Sequence, residues 1–167
     1  MNKLSNLFTA TTIFALIIFI SCGGKDDPGT TEPDPVAERL ALLLNGGTEW
    51  AVAAGAVKQD GIAATEWDGF GLKFTGSGSS GSYTATGRPA TSEVPNVDVV
   101  WPASGTWSFG DGTTAGEKDI SKIVRSDGVT MAASVTSTKL SLTFTIEDTG
   151  AGRMQGVAGT WVFEFPN

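Results

Sequence analysis

Residues 139–147 read KLSLTFTIE, and the reading of this stretch decides the fold. Leu140, Leu142, Phe144 and Ile146 take every second place, with Ser141, Thr143 and Thr145 between them. A period of two puts the apolar side chains on one face and the hydroxyls on the other, the pattern of a strand with one face on a core and one in water. The chain closes the same way in residues 160–165, where Trp161, Phe163 and Phe165 alternate with Val162 and Glu164.

Working back towards the N-terminus, Val129, Met131, Ala133 and Val135 alternate after the turn Ser126-Asp127-Gly128, with a less regular strand in residues 120–125 before it. Trp107 and Phe109 lie in a short strand closed by Gly110-Asp111-Gly112, whose Asp-Gly is a strong hairpin dipeptide. Val97, Val99 and Trp101 alternate ahead of Pro102, and Trp50, Val52, Ala54 and Ala56 form another alternating run. The glycine-rich residues 67–87 carry Leu72, Phe74 and Tyr83 and read as either a pair of twisted hairpin strands or a mobile flap. The sum is an all-β chain of about eight or nine short antiparallel strands. It closes either as a two-sheet sandwich or as an up-and-down barrel.

One helix is predicted, over residues 35–45. Asp34 stands at the N-cap, Pro35 at the first helical place and Glu38 in the first turn, while Leu40, Leu43 and Leu44 share a stripe before Gly46-Gly47 end it. So short a helix is stable only when packed, as a lid on one end of the β domain.

Composition narrows the chemistry. The formal charge is −7 and no basic patch offsets it, which disfavours a nucleic-acid partner. The sequence has no histidine and a single cysteine, so Ser-His-Asp catalysis and His-ligated metal sites are excluded. Carboxylate, lysine or tyrosine chemistry and oxygen-ligand sites survive. Asp60, Glu66, Asp68, Glu93 and Asp98 gather in the first half of the chain, where a facing pair would suit glycoside hydrolysis or Ca²⁺, and a solvated acidic face is the other reading. Trp67 and Trp101 stand beside turn residues and are the candidates for a ligand surface on which sugar rings stack; otherwise they pack at the ends of the core.

Residues 7–22, LFTATTIFALIIFISC, follow Lys3 as an apolar run ending in small residues. The run is shorter than the roughly 20 residues of a membrane span and has the length of a cleaved leader. Phe19-Ile20-Ser21-Cys22-Gly23 resembles the lipobox of bacterial lipoproteins, in which the peptidase cuts before the cysteine and the thiol takes a diacylglycerol. That resemblance implies a signal peptide over residues 1–21, lipidation of Cys22, and no other cofactor. Residues 23–35, GGKDDPGTTEPDP, contain no apolar side chain and read as a tether, with residues 22–35 linking the anchor to a β domain at 36–167. Lys25-Asp26-Asp27 resembles the acidic export signal of Bacteroidota-type lipoproteins, which implies the outer membrane, lipid-anchored at the cell surface.

Two further resemblances bear on the domain. Residues 107–114, WSFGDGTT, resemble the core motif of PKD-type Ig-like modules. The leucine-rich helix running into Gly46-Gly47-Thr48-Glu49-Trp50, then Gly105-Thr106-Trp107, Arg125-Ser126-Asp127-Gly128, residues 140–144 and Gly159-Thr160-Trp161-Val162-Phe163, is similar to small Bacteroidota-type lipoproteins of lipocalin-like or sandwich type. They imply a non-catalytic binding module, for a glycan, a small ligand or an envelope protein, or a structural spacer.

Overall fold

A computed structural model describes residues 32–148 and 156–167, which fall in one compact unit, Glu32–Asn167. Cys22, Lys25, Asp26 and Asp27 lie outside the described residues. Among the described residues no helix is long and apolar enough to cross a membrane.

The fold is all-β. Among the described residues ten strands form one antiparallel sheet: β1 Trp50–Ala51, β2 Val57–Gln59, β3 Ile62–Ala63, β4 Gly71–Ser77, β5 Ser80–Thr86, β6 Ser104–Asp111, β7 Lys118–Arg125, β8 Thr130–Val135, β9 Lys139–Ile146 and β10 Gly159–Pro166. Strands β4 to β10 run as an uninterrupted meander, with β1 added beside β4 and the β2–β3 hairpin beside β10. The sheet curls into a half-barrel instead of splitting into two packed sheets, so the barrel reading stands nearer than the sandwich. Among the described residues it is not closed by hydrogen bonds, because β1 and β3 are its two ends.

The decisive stretch folds as its pattern demands. Leu140, Leu142, Phe144 and Ile146 are buried, and β9 pairs with β10 so that Phe144 opposes Trp161, Leu142 opposes Phe163 and Leu140 opposes Phe165. Apolar side chains thus meet across the ladder on the concave face, where cross-strand pairs contribute most. The glycine-rich segment is the β4–β5 hairpin, with Leu72, Phe74 and Tyr83 buried. Gly76 and Gly81 oppose each other in it, and a Cβ on Gly81 would run into the Thr75 carbonyl and Gly76 Cα, so the strands approach there more closely than any side chain permits.

Three expectations need correction. The run from Trp50 to Ala56 is a strand only over Trp50–Ala51; a turn follows, in which the Ala56 N–H donates to the Ala53 carbonyl and Gly55 takes φ 70°. Asp111-Gly112 is not the two-residue centre of a hairpin, since Asp111 still pairs with Lys118 and the connection is the longer loop 112–117. The third concerns residues 97–101, which form a helix, α2 (Val97–Val100), and not a strand. The spacing Val97, Val100, Trp101 also fits one face of a helix, and those three are the buried residues, while Val99 is only partly covered. Pro102 then forces Trp101 into extended backbone, which ends the helix.

The expected helix, α1 (Pro35–Leu44), is present, with the Asp34 side chain accepting from the Val36 N–H and Asn45 in the left-handed region at its end. Arg39 fixes it to the sheet by donating to the Ile120 carbonyl at 3.0 Å and the Val135 carbonyl at 2.9 Å. Those carbonyls lie at the start of β7 and the end of β8. Since β7 is antiparallel to β8, both mark one end of the half-barrel, and α1 lies over it.

Candidate functional site

Among the described residues the interior is packed with aromatic rings. Phe163 stands at its centre, with its ring 5.4 Å from Trp67, 5.3 Å from Phe70, 5.9 Å from Trp101 and 5.9 Å from Phe144. Edge-to-face and stacked separations of this size are those of close-packed rings. Trp67 and Trp101 are both 0 % exposed, which overturns their reading as an exposed stacking surface. Trp67 is held edge-on against Phe70, Trp161 and Phe163, and Trp101 edge-on against Tyr83, Phe144 and Phe163. Neither indole N–H finds a hydrogen-bond acceptor among the described residues, a penalty of about 1–3 kcal/mol each that the ring packing must outweigh. Trp50 and Trp161, by contrast, donate to the Leu43 and Val157 carbonyls.

Of the carboxylates of the first half, Asp60 and Glu66 line one open depression beside the β2–β3 hairpin, and Asp68, Glu93 and Asp98 are not part of it. Asp60 sits in the β2–β3 turn and accepts from the Thr160 N–H, Asp68 accepts from the Gly55 N–H, and Glu93 from the Ala90 N–H. Asp98 pairs with Arg88. Among the described residues no group of three or more Asp, Glu or Cys side chains is arranged to hold a metal ion.

The most developed polar arrangement lies at the end of the half-barrel opposite α1. Arg125, the last residue of β7, is only 2 % exposed, the one charged side chain of the core among the described residues. Its inward place follows from the alternation Ile123, Arg125 and from its register opposite Trp107. The guanidinium donates from Nη1 to the Val100 carbonyl at 2.5 Å and from Nη2 to the Val99 carbonyl at 3.2 Å, at the end of α2. It also donates from Nε to Asp127 Oδ1 at 3.1 Å and from Nη2 to Oδ2 at 2.5 Å. Its central carbon lies 4.7 Å from the Trp101 ring centroid and 5.6 Å from that of Phe144. A planar, weakly hydrated cation with a fork of donors is the side chain suited to such a place, and the ring faces add to its stabilisation.

Asp127 is the counter-charge. Burial alone would raise its carboxyl, but the hydrogen bonds and charge of Arg125, with the Val129 N–H, hold it below its ordinary value. The turn Ser126-Asp127-Gly128 is closed locally, with the Gly128 N–H on the Arg125 carbonyl and Gly128 at φ 90°, so the chain turns back just where Asp127 must meet its own strand's arginine.

Outside this clamp lies a groove of about 460 Å³. Val99, Pro102, Val129 and Ile146 give it an apolar floor; Asp98, Asp127 and Glu147 stand around it. A second depression of about 460 Å³, over the outer face of β5, β6 and β7, is lined mainly by hydroxyls, including Ser80, Ser82, Thr106, Ser108 and Ser126. Arg125 was legible as an anomaly, a cation at an inward strand position that must find partners. The groove had no sequence signal, because its walls come from α2, the 126–128 turn and the end of β9.

Fold and site together define a class, an open all-β half-barrel with a solid aromatic core and outward-facing grooves. No family model matches the chain, and no curated protein or solved structure shows significant similarity to it.

Proposed function

We propose that this chain is a lipid-anchored, non-catalytic binding module held at the outer membrane and displayed at the cell surface. Cys22 carries the acyl chains, Lys25, Asp26 and Asp27 act as the export signal, and the acidic tether lifts the β domain from the lipid. Two or three acyl chains, at about 0.8 kcal/mol per buried methylene, suffice for stable anchoring. The observation that carries the reading of the domain is the packing of its interior. With the concave face filled by rings, ligand recognition falls to the outer grooves, and the partner is an envelope protein or glycan met at the surface. The absence of histidine from the sequence and the engagement of Asp60, Asp68, Glu93 and Asp98 in local structure support a role without turnover.

Metabolic palmitate labelling tests the anchor. Label in the wild type and none in Cys22→Ala is the expected result; equal label in both, or none in either, overturns it. A structural spacer is the second reading, favoured by the same solid core, and a domain whose deletion releases no partner yet shortens surface exposure of a fused tag would support it instead.

A further inference from the structure

We propose that the groove beside the Arg125 clamp is a docking site for a lysine or arginine side chain presented by a partner protein. The inference rests on the binding-module reading above and names the chemistry of its partner.

The groove joins two features that a basic side chain needs together. Its floor of Val99, Pro102, Val129 and Ile146 matches an alkyl stem, and its rim of Asp98, Asp127 and Glu147 matches a cationic head. The acceptor at Asp127 is oriented in advance. Its Oδ1 takes hydrogen bonds from Arg125 Nε and the Val129 N–H, and its Oδ2 one from Arg125 Nη2. The Asp127 side chain is still 36 % exposed and lines the groove. Glu147 ends the β9 side of the groove and Asp98, 72 % exposed, the α2 side.

Charge balance sets the strength. Asp98 and Asp127 are already matched by Arg88 and Arg125, so the pull on a cation comes from Glu147 and from the overall charge of −7, and it is short-ranged. Selectivity therefore comes from the pairing of stem and head. A bare cation gains nothing from the floor, and an apolar side chain gains nothing from the rim. The hydroxyl-lined groove over β5 to β7 has no carboxylate in its lining, and exposed Ile62 stands on β3, an edge strand of only 2 residues.

The test uses the full chain in non-ionic detergent, titrated with acetyl-Ala-Lys-Ala-amide while backbone amide shifts are followed by NMR. The lysine peptide should move Val129, Ile146 and Glu147 saturably, and the peptide with norleucine in place of lysine should bind at least about tenfold more weakly. Glu147→Gln should weaken the lysine peptide by about two- to fivefold, the worth of one exposed ion pair. Glu117→Gln, in the distant 112–117 loop, should leave it unchanged. Equal binding of the norleucine peptide, equal effects of the two substitutions, or no saturable shift would each overturn the proposal. Palmitate on Cys22 with no peptide binding discards the groove and keeps the anchored module; the reverse outcome keeps the groove and discards the anchor.

Discussion

Each end of the half-barrel is covered by a helix and pinned by an arginine that donates to two backbone carbonyls, yet the two ends are built on different principles. At the α1 end, Arg39 is half-buried, meets the Ile120 and Val135 carbonyls, and forms no ion pair among the described residues. At the α2 end, Arg125 is buried, reaches the Val99 and Val100 carbonyls, and adds a carboxylate and two aromatic faces. The first device fastens a helix that its own sequence already specifies. The second creates the local structure it fastens, since a helix of 4 residues has no stability of its own. The same side-chain chemistry thus serves as a clip at one end and as a keystone at the other.

Substitutions that separate the two ends test this directly. Arg125→Met should have the largest effect. It removes one member of a buried pair and leaves two carbonyls without a donor, a loss of about 3 kcal/mol in chemical denaturation, kept to the low end because Asp127 can regain water. Arg125→Lys should recover little of it, since an ammonium cannot reproduce the fork. Arg39→Met should cost about 1–2 kcal/mol, two hydrogen bonds at a half-buried site. Asp34→Ala, which removes the α1 N-cap, should cost about 1 kcal/mol. Comparable losses from Arg125→Met and Arg39→Met would erase the distinction between the ends.

A pH series sharpens it further. The folded Asp127 carboxyl lies below its ordinary value, so its contribution is present above about pH 4 and is lost as pH falls through the lower folded value. Thermal midpoints of Asp127→Asn should therefore start below wild type at neutral pH and fall less steeply as the pH drops below about 4. Some slope should remain in the variant, because Asp119 is also lowered, to about 2, by hydrogen bonds from the Ser121 hydroxyl and from Lys122, and Glu164 is lowered by Lys139. An unchanged slope would mean that the α2 end contributes nothing to acid sensitivity.

How much of this could be read from the sequence follows the same division. Strands β9 and β10 and helix α1 announce themselves, because period and caps are local signals. The β2–β3 hairpin also carries a local signal: Asp60-Gly61 is a two-residue turn with φ 51° and 83°, the positive pair that Asp-Gly favours. Helix α2 is ambiguous in the sequence because Val97, Val99 and Trp101 satisfy a period of two while Val97, Val100 and Trp101 satisfy a helical face, and only the tertiary packing decides between them. The turn-rich flanks of Trp67 and Trp101 leave a ligand surface and packing at the ends of the core both open, because flanking turns say where the backbone bends and not which way an indole faces; burial decides for packing. The candidate groove was beyond reach, since Val99, Asp127 and Ile146 meet only through the curl of the sheet.

The central claim is that the concave face is solid and that recognition belongs to the outside. All five tryptophans of the sequence, Trp50, Trp67, Trp101, Trp107 and Trp161, are core residues, so the most direct measurement is acrylamide quenching of native tryptophan fluorescence. The account predicts blue-shifted emission with uniformly low quenching that rises only on unfolding. A native fraction quenched as readily as the unfolded chain, with red-shifted emission, would place a tryptophan at the surface and contradict it.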